Sequence, residues 1–327
     1  MGRYVTRRLI QLIPVLWIIS VIIFVLLQLT PGDPSAALED NPNITAEDRA
    51  RYEESLGLND PMHIKYLKWS RNLLKGEMGI SIATKRPVTT EILQRLPNTI
   101  RLMLVSQVTT LLLALPVGII SAVKQYSLFD HISTTIAFWG QSIPIFWFGL
   151  LLIMVFSLTI KNADGGPFLP AGGMYDLRLF NAENAPLSDR LIHMILPVFM
   201  LTMFSAGRYT RFMRSSMLDV LNQDYLDTAR AKGLRETTVI LLHALKNAAI
   251  PVITILALDL PLIFSGAVFT ETIFSWPGMG RLFIRSVERS DYDLVMGIVM
   301  INAILILFFN LFADIVYAYL DPRVRYE

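Results

Sequence analysis

Not one of the 327 residues is cysteine, which removes disulfides, thiol nucleophiles and cysteine-ligated metals from consideration. Charge is scarce too. Asp, Glu, Lys and Arg make up 17% of the chain, where soluble domains carry about a quarter; 53% is apolar and mean hydropathy is +0.49. That balance excludes an ordinary soluble globule. The 29 basic and 27 acidic residues nearly cancel and give nothing to attract nucleic acid. No Gly-x-x-x-x-Gly-Lys-Ser/Thr occurs, so the phosphate-cradling loop of an ATP hydrolase is missing. Asp164-Gly165-Gly166 and Ala171-Gly172-Gly173, flanked by Pro167 and Pro170, read as turns. His-Glu-x-x-His and Gly-x-Ser-x-Gly are absent, and His63, His131, His193 and His243 are too scattered to share a metal.

What the chain has is long apolar runs. About 20 residues of helix cross a hydrocarbon core of roughly 30 Å, and six runs qualify: residues 9–30, 100–123, 132–160, 191–212, 249–270 and 294–320. The third, fourth and fifth contain Pro144, Pro197 and Pro261, which membrane helices tolerate when neighbours satisfy the freed backbone groups. Pro144-Ile145-Phe146-Trp147 predicts a kink. Ten-residue alternation is missing, so a β-barrel is excluded. The fold class is therefore an all-α membrane protein. Arg3, Arg7 and Arg8 precede the first run and Ser35-Ala36-Ala37 resembles a cleavage site. The run outlasts a signal-peptide core of about 7–15 residues, which predicts a retained signal-anchor.

Orientation follows from the short loops. Arg208, Arg211, Arg214, Arg230, Lys232, Arg235 and Lys246 crowd the connection between the fourth and fifth runs, and Arg323 and Arg325 close the chain. The other side holds Lys161, Arg178, Arg190, Arg281, Arg285 and Arg289. The positive-inside rule then puts both termini in the cytoplasm, N-in and C-in. Residues 1–30 form a tail and first span, 31–99 an external subdomain, 100–320 a core of five spans, and 321–327 a cytoplasmic tail. In the external subdomain, Thr45 with Asp48 starts a helix that stops at Gly57, and Tyr66, Trp69, Leu73 and Leu74 recur at helical spacing before Gly76.

Polar groups within spans are few. Asp259 falls near the middle of the fifth, where a charge costs upwards of about 2.5 kcal/mol and must face protein or water. It reads equally as a pathway residue meeting a peptide amino group and as a hydrogen-bonded helix-interface residue. Asp314, near the cytoplasmic end of the sixth, reads as structurally paired, and Gln28, Gln107, Gln141 and Asn302 as interhelical hydrogen-bonding groups.

The most patterned polar segment is Asp224-Tyr225-Leu226-Asp227-Thr228-Ala229-Arg230-Ala231-Lys232-Gly233-Leu234. It reads as a short helix with Asp224 as cap and Asp227 three residues on. Arg230 and Lys232 then lie in the last turn, where cations suit the helix dipole, and Gly233 is the left-handed stop. Leu218, Leu221 and Tyr225 share a face that predicts packing.

This segment resembles the EAA loop of ATP-binding-cassette (ABC) importer permeases, with Asp227-Thr228-Ala229 at the Glu-Ala-Ala position and Gly233 at the glycine; the loop spans about 214–248. His243-Ala244-Leu245-Lys246-Asn247-Ala248-Ala249-Ile250-Pro251 replaces the general continuation and resembles the dipeptide, oligopeptide and nickel branch. So do Leu29-Thr30-Pro31-Gly32-Asp33-Pro34, Glu271-Thr272-Ile273-Phe274-Ser275-Trp276-Pro277-Gly278-Met279-Gly280 and Leu320-Asp321-Pro322-Arg323-Val324-Arg325. The resemblance implies a non-catalytic permease of the bacterial inner membrane, coupled to ATPase movement through Asp224, Asp227, Thr228, Ala229, Arg230, Lys232 and Gly233. It implies as partners a second homologous permease, two cytoplasmic ATPase subunits that bind ATP and Mg, and an extracytoplasmic binding protein. The cargo would be a peptide, an oligopeptide first, with dipeptide, nickel chelate or another small solute as alternatives. An ion-coupled secondary transporter would need paired intramembrane carboxylates or an internal repeat, and an intramembrane enzyme a catalytic pair within the spans; the sequence offers neither.

Overall fold

The computed structural model describes residues 2–29, 60–181, 183–261 and 267–320. Most of them are helical: α1 (Gly2–Leu29), α2 (Met62–Leu74), α3 (Val88–Val123), α4 (Leu128–Ser142), α5 (Ile145–Ile153) with a wider π turn at Met154–Thr159, and α6 (Leu187–Leu221). There follow α7 (Asp224–Ala231), α8 (Glu236–Asp259, with a π turn at Val239–Ala244), α9 (Val268–Ile273), α10 (Met279–Glu288) and α11 (Tyr292–Leu320). Four helices begin directly after a proline, Pro61, Pro87, Pro144 and Pro186. The ring fixes φ for entry into the helix and lacks the N–H that a first turn could not use.

By length and composition α1, α3, α6, α8 and α11 can cross a membrane, and α4 with α5 makes a sixth crossing only as a pair bent by 101°. The third run, 132–160, is therefore not one helix. Ile143 is extended and Pro144 begins a new helix, because a residue before proline is driven out of the α region. The fifth run is displaced as well: the continuous helix starts at Glu236 and ends at Asp259 rather than covering 249–270. At 36 and 35 residues, α3 and α6 are each more than 50 Å long at about 1.5 Å per residue. They outreach the bilayer, so Arg208, Arg211 and Arg214 sit on helix α6 and not in a loop.

Helices α3 and α6 make the most extensive contact and run parallel. Leu102 packs with Met194 and Val198 toward one end, and toward the other the Ala114 carbonyl accepts from Thr210 while Ala122 joins Met213 and Met217. Antiparallel α8 adds Val239, Ala244, Ala248 and Val252 to that second cluster. Gly207 lets α4 approach: a Cβ there would lie 2.5 Å from the Ala137 carbonyl oxygen. A bidentate pair ties the same two helices, with Arg214 Nε and Nη2 donating to Asp130 at 2.6 and 2.7 Å. Arg8 pairs with Asp314 at 3.3 Å, joining the start of α1 to the far part of α11 as the sequence predicts for Asp314. That end of the bundle also carries α7.

In the segment between α1 and α3, Tyr66 and Trp69 dock α2 on Phe24 of α1, with ring centroids 5.4 and 5.7 Å away, and Tyr66 shares a hydrogen bond with Ser20. Leu74, assigned to that face by its spacing, is 89% exposed. Thr45, Asp48 and Gly57 lie outside the described residues.

The end opposite α7 is fastened by Glu271, which is fully buried. One carboxylate oxygen accepts from the backbone amides of Gly280 and Arg281 at 2.7 and 3.1 Å; the other accepts from the Thr99 hydroxyl at 2.7 Å. Thr99 Oγ1 in turn accepts from the Met279 amide. Three donors that the first turn of α10 cannot satisfy internally are thus served by residues from α9 and α3. The side chains of Trp276 and Asn98 exchange bonds with the Asn98 and Pro277 carbonyls. A Cβ on Gly278 would overlap the Glu271 carboxyl group. Gly278→Ala is expected to destabilise the protein by about 1–3 kcal/mol, seen as a fall of several degrees in the detergent thermal midpoint; an unchanged midpoint would show that the carboxylate does not hold α10.

Candidate functional site

Helix α7 hangs from the end of α6 through a two-residue turn. Its inner face is Leu226 and Ala229, an i, i+3 pair buried at 0% and 7% among Met213, Met217, Val239, Ala244 and Ala248. Leu218 and Leu221 pack against the same cluster as their spacing predicts, but Tyr225 is exposed and donates nothing inward; its hydroxyl accepts from Asn247 at 2.7 Å. The outer face presents Asp224, Asp227, Thr228, Ala231, Lys232, Gly233 and Leu234.

The ends of α7 differ in part from the sequence expectation. Asp224 is the first helical residue and not the cap; Gln223 holds the cap position and makes no side-chain cap bond. The Asp224 charge still lies in the first turn with Asp227, where the dipole favours it. Lys232 is the C-cap residue, one beyond the last turn. Gly233 adopts φ +79°, and its amide donates to the Arg230 carbonyl at 2.9 Å. No atom lies within 4 Å of where its Cβ would stand, so glycine is required by backbone conformation alone.

Arg230 does more than meet a dipole. It donates to Asp227 at 2.9 Å and, with two nitrogens, to Glu236 at 3.3 and 3.1 Å. The Glu236 and then the Asp227 bonds push its already high pKa up. This fork crosses the Gly233 turn and fixes α7 against the first turn of α8. Glu236 escapes a sequence scan because its six-residue separation from Arg230 matches no helical pairing; the turn alone brings it back. Leu226 and Ala229, by contrast, carry a readable i, i+3 signal. A bulky or charged residue at Ala229 would enter the core, and one at Asp227 or Thr228 would not.

The second candidate, Asp259, is the last residue of α8, where the helix's own carbonyl dipoles disfavour an anion. Arg208 and Tyr209 of α6 both donate to it, the tyrosine at 2.6 Å, and Gln107 of α3 donates to the Tyr209 hydroxyl at 3.0 Å. Gln107 lies midway along α3, so this polar knot sits at mid-height in the bundle. Asp259 is 14% and Arg208 42% exposed at the side chain, leaving the guanidinium open on one side. Arg211, one turn on, donates to Gln141 at 2.6 Å and stacks over Phe138. Gln107 and Gln141 are therefore interhelical bonding groups, as expected; Asn302 leaves its buried carbonyl oxygen without a partner, and Gln28 is exposed. Neither α7 nor the Asp259 knot gathers the side chains of a nucleophilic or metal site.

Comparison with known proteins agrees with this architecture. The family model described as "Binding-protein-dependent transport system inner membrane component" matches residues 114–326, and its companion "Binding-prot-dependent transport system membrane comp, N-term" matches residues 1–103. The chain is 44% identical to the oligopeptide transport system permease protein AppB of Bacillus subtilis (strain 168), over 100% of both chains. It is 36% identical to the dipeptide transport system permease protein DppB of Escherichia coli (strain K12), again over 100% of both. The glutathione transport system permease protein GsiC of Salmonella paratyphi A is likewise 36% identical over the full length of each. The chain belongs to the family of inner membrane components of binding-protein-dependent transport systems.

Proposed function

We propose that this chain is a permease subunit of an ABC importer, forming half of a translocation pathway for peptides, with oligopeptides the preferred class. The observation that carries the reading is full-length similarity to peptide permeases combined with a helix, α7, that is rooted in the bundle on one face and open on the other. A partner that grips the open face moves the buried face with it. ATP and Mg belong to two cytoplasmic ATPase subunits docked there; a homologous permease closes the pathway, and an extracytoplasmic binding protein delivers cargo at the opposite end. Asp224, Asp227, Thr228, Arg230, Lys232 and Gly233 present the docking surface, and Ala229 with Leu226 anchors it. ATP-driven closure then biases the bundle between two states without any chemical step in this chain. Uptake into vesicles that requires ATP and the ATPase subunits separates this reading from an ion-coupled carrier; uptake driven by an ion gradient alone would refute it.

The reading places Arg8, Asp314 and the Gly233 turn on the cytoplasmic side, supported by their common end of the bundle and by the loop charges. The cysteine-free chain allows a direct check. Ser188→Cys is expected to react with an impermeant thiol reagent on intact cells and Ala231→Cys only after permeabilisation; the reverse pattern inverts the topology. Both positions are exposed.

Because the space around Gly233 is open, substitution there strains backbone without clashing. Gly233→Val is expected to leave the spans and partner permease in place yet to lower stimulated ATP hydrolysis and uptake at least tenfold, while Gly233→Asn, which tolerates positive φ, retains most of both. Normal coupling in Gly233→Val would remove α7 from the mechanism.

For Asp259 the reading assigns a pathway role to the open Arg208–Asp259 knot. Arg208→Ala, which strands a carboxylate, is expected to destabilise the protein by about 3–5 kcal/mol, and the charge-swapped pair Arg208→Asp with Asp259→Arg to recover stability in thermal melts but not peptide uptake. Recovery of both would mean the pair serves helix packing alone.

A further inference from the structure

Helix α10 is strongly amphipathic. Met279, Leu282 and Ser286 are buried against α3 and α11, and the remaining faces carry Arg281, Arg285, Glu288 and Arg289. Arg281 and Arg285 are four residues apart and so share a face. Arg95 arrives beside them from α3, which packs on α10. Arg281 is held down by its donation to the Ser275 carbonyl. Ile92, one turn before Arg95, packs in the same cluster as Leu282 of α10, and burial first, then the charges of Arg285 and Arg95, lower the Arg281 pKa.

Among the described residues none of these three makes an ion pair with a carboxylate, although Arg86 nearby reaches Glu91. Glu288, three residues beyond Arg285, is the only carboxylate of α10, so positive charge stays in excess on this face, and a surface of opposite sign lowers the repulsion between these cations and steers its own approach. The patch lies at the bundle end opposite α7. Arg285 is exposed and points away from the buried face of its helix, which suits a broad protein surface better than a single enclosed carboxylate.

We propose that Arg95, Arg281 and Arg285 form a cationic docking patch for an acidic surface of the extracytoplasmic binding protein. The proposal rests on the transport reading above, which makes this end the outer one.

The test uses the assembled transporter in nanodiscs and measures ATP hydrolysis against binding-protein concentration. Arg285→Glu is expected to raise the half-saturating concentration about five- to tenfold at low salt, with the gap to wild type closing near about 0.5 M salt. Arg178→Glu, an exposed cation elsewhere, is expected to leave it unchanged. Arg281→Gln and Arg95→Gln should act in the same direction as Arg285→Glu; if either disrupts assembly, the exposed Arg285 carries the result. An unchanged half-saturating concentration in Arg285→Glu overturns the proposal. So does a defect confined to cargo concentration at saturating binding protein, which would assign the patch to a peptide carboxylate. Loss of the partner permease from Arg285→Glu complexes also overturns it, as that would make the patch a permease interface. Absence of any stimulation in wild type would defeat the transport reading itself, a result distinct from these.

Discussion

The parallel contact between α3 and α6 is the constraint on which the rest of the bundle depends. In an apolar solvent, helices gain nothing from hiding hydrophobic surface, so association rests on close packing and on a few polar bonds. Here both operate along one seam: Leu102 with Met194 and Val198, Gln107 with Tyr209, the Ala114 carbonyl with Thr210, and Ala122 with Met217. The other helices attach to this pair. α4 is drawn in at Gly207 and locked by Asp130 and Arg214, α8 completes the Met213 cluster, and α9 and α10 are clasped through Thr99 and Trp276.

Charges within this frame fall into two kinds. Glu271 and Asp130 are buried and fully engaged, with several donors each, and hold elements in place. Arg208, Arg230 and Arg285 are partly open. Arg230 ends in a defined fork, Arg208 meets Asp259 but leaves one side uncovered, and Arg285 lacks a carboxylate among the described residues. The firmly satisfied charges join helices to one another, while the open ones leave part of their donor groups uncovered.

Much of the architecture was legible in the sequence because desolvation leaves membrane helices few alternatives. Long apolar runs had to be helices, and Gly233 had to terminate one. The errors came from where competing physics acts at single residues. Pro144 does more than kink a span, since it forces Ile143 out of the helix and turns the chain by 101°. Hydropathy placed the fifth helix too late because Val239, Ala244 and Ala248 are buried protein contacts in a stretch whose exposed face carries Lys246 and Asn247. The cap at Asp224 failed by one position, a shift that type preferences do not resolve. The partners of Asp259 and Arg230 were hidden for a different reason: Tyr209 and Arg208 come from another helix, and Glu236 from beyond a turn.

The burial of Leu226 and Ala229 has a mechanical consequence. Because α7 is seated in the same cluster as Met213 and Met217, the stretch of α6 from Tyr209 to Leu221, about 18 Å at roughly 1.5 Å rise per residue, would act as a lever arm for the docked partner proposed above. Each degree by which that arm tilts displaces its far end by about 0.3 Å, and the far end is where Tyr209 holds Asp259. In the coupling proposed above, a rotation of only a few degrees at the bundle's edge would be comparable with the tolerance of a hydrogen bond at its centre, so helix length would set the gearing between the two sites.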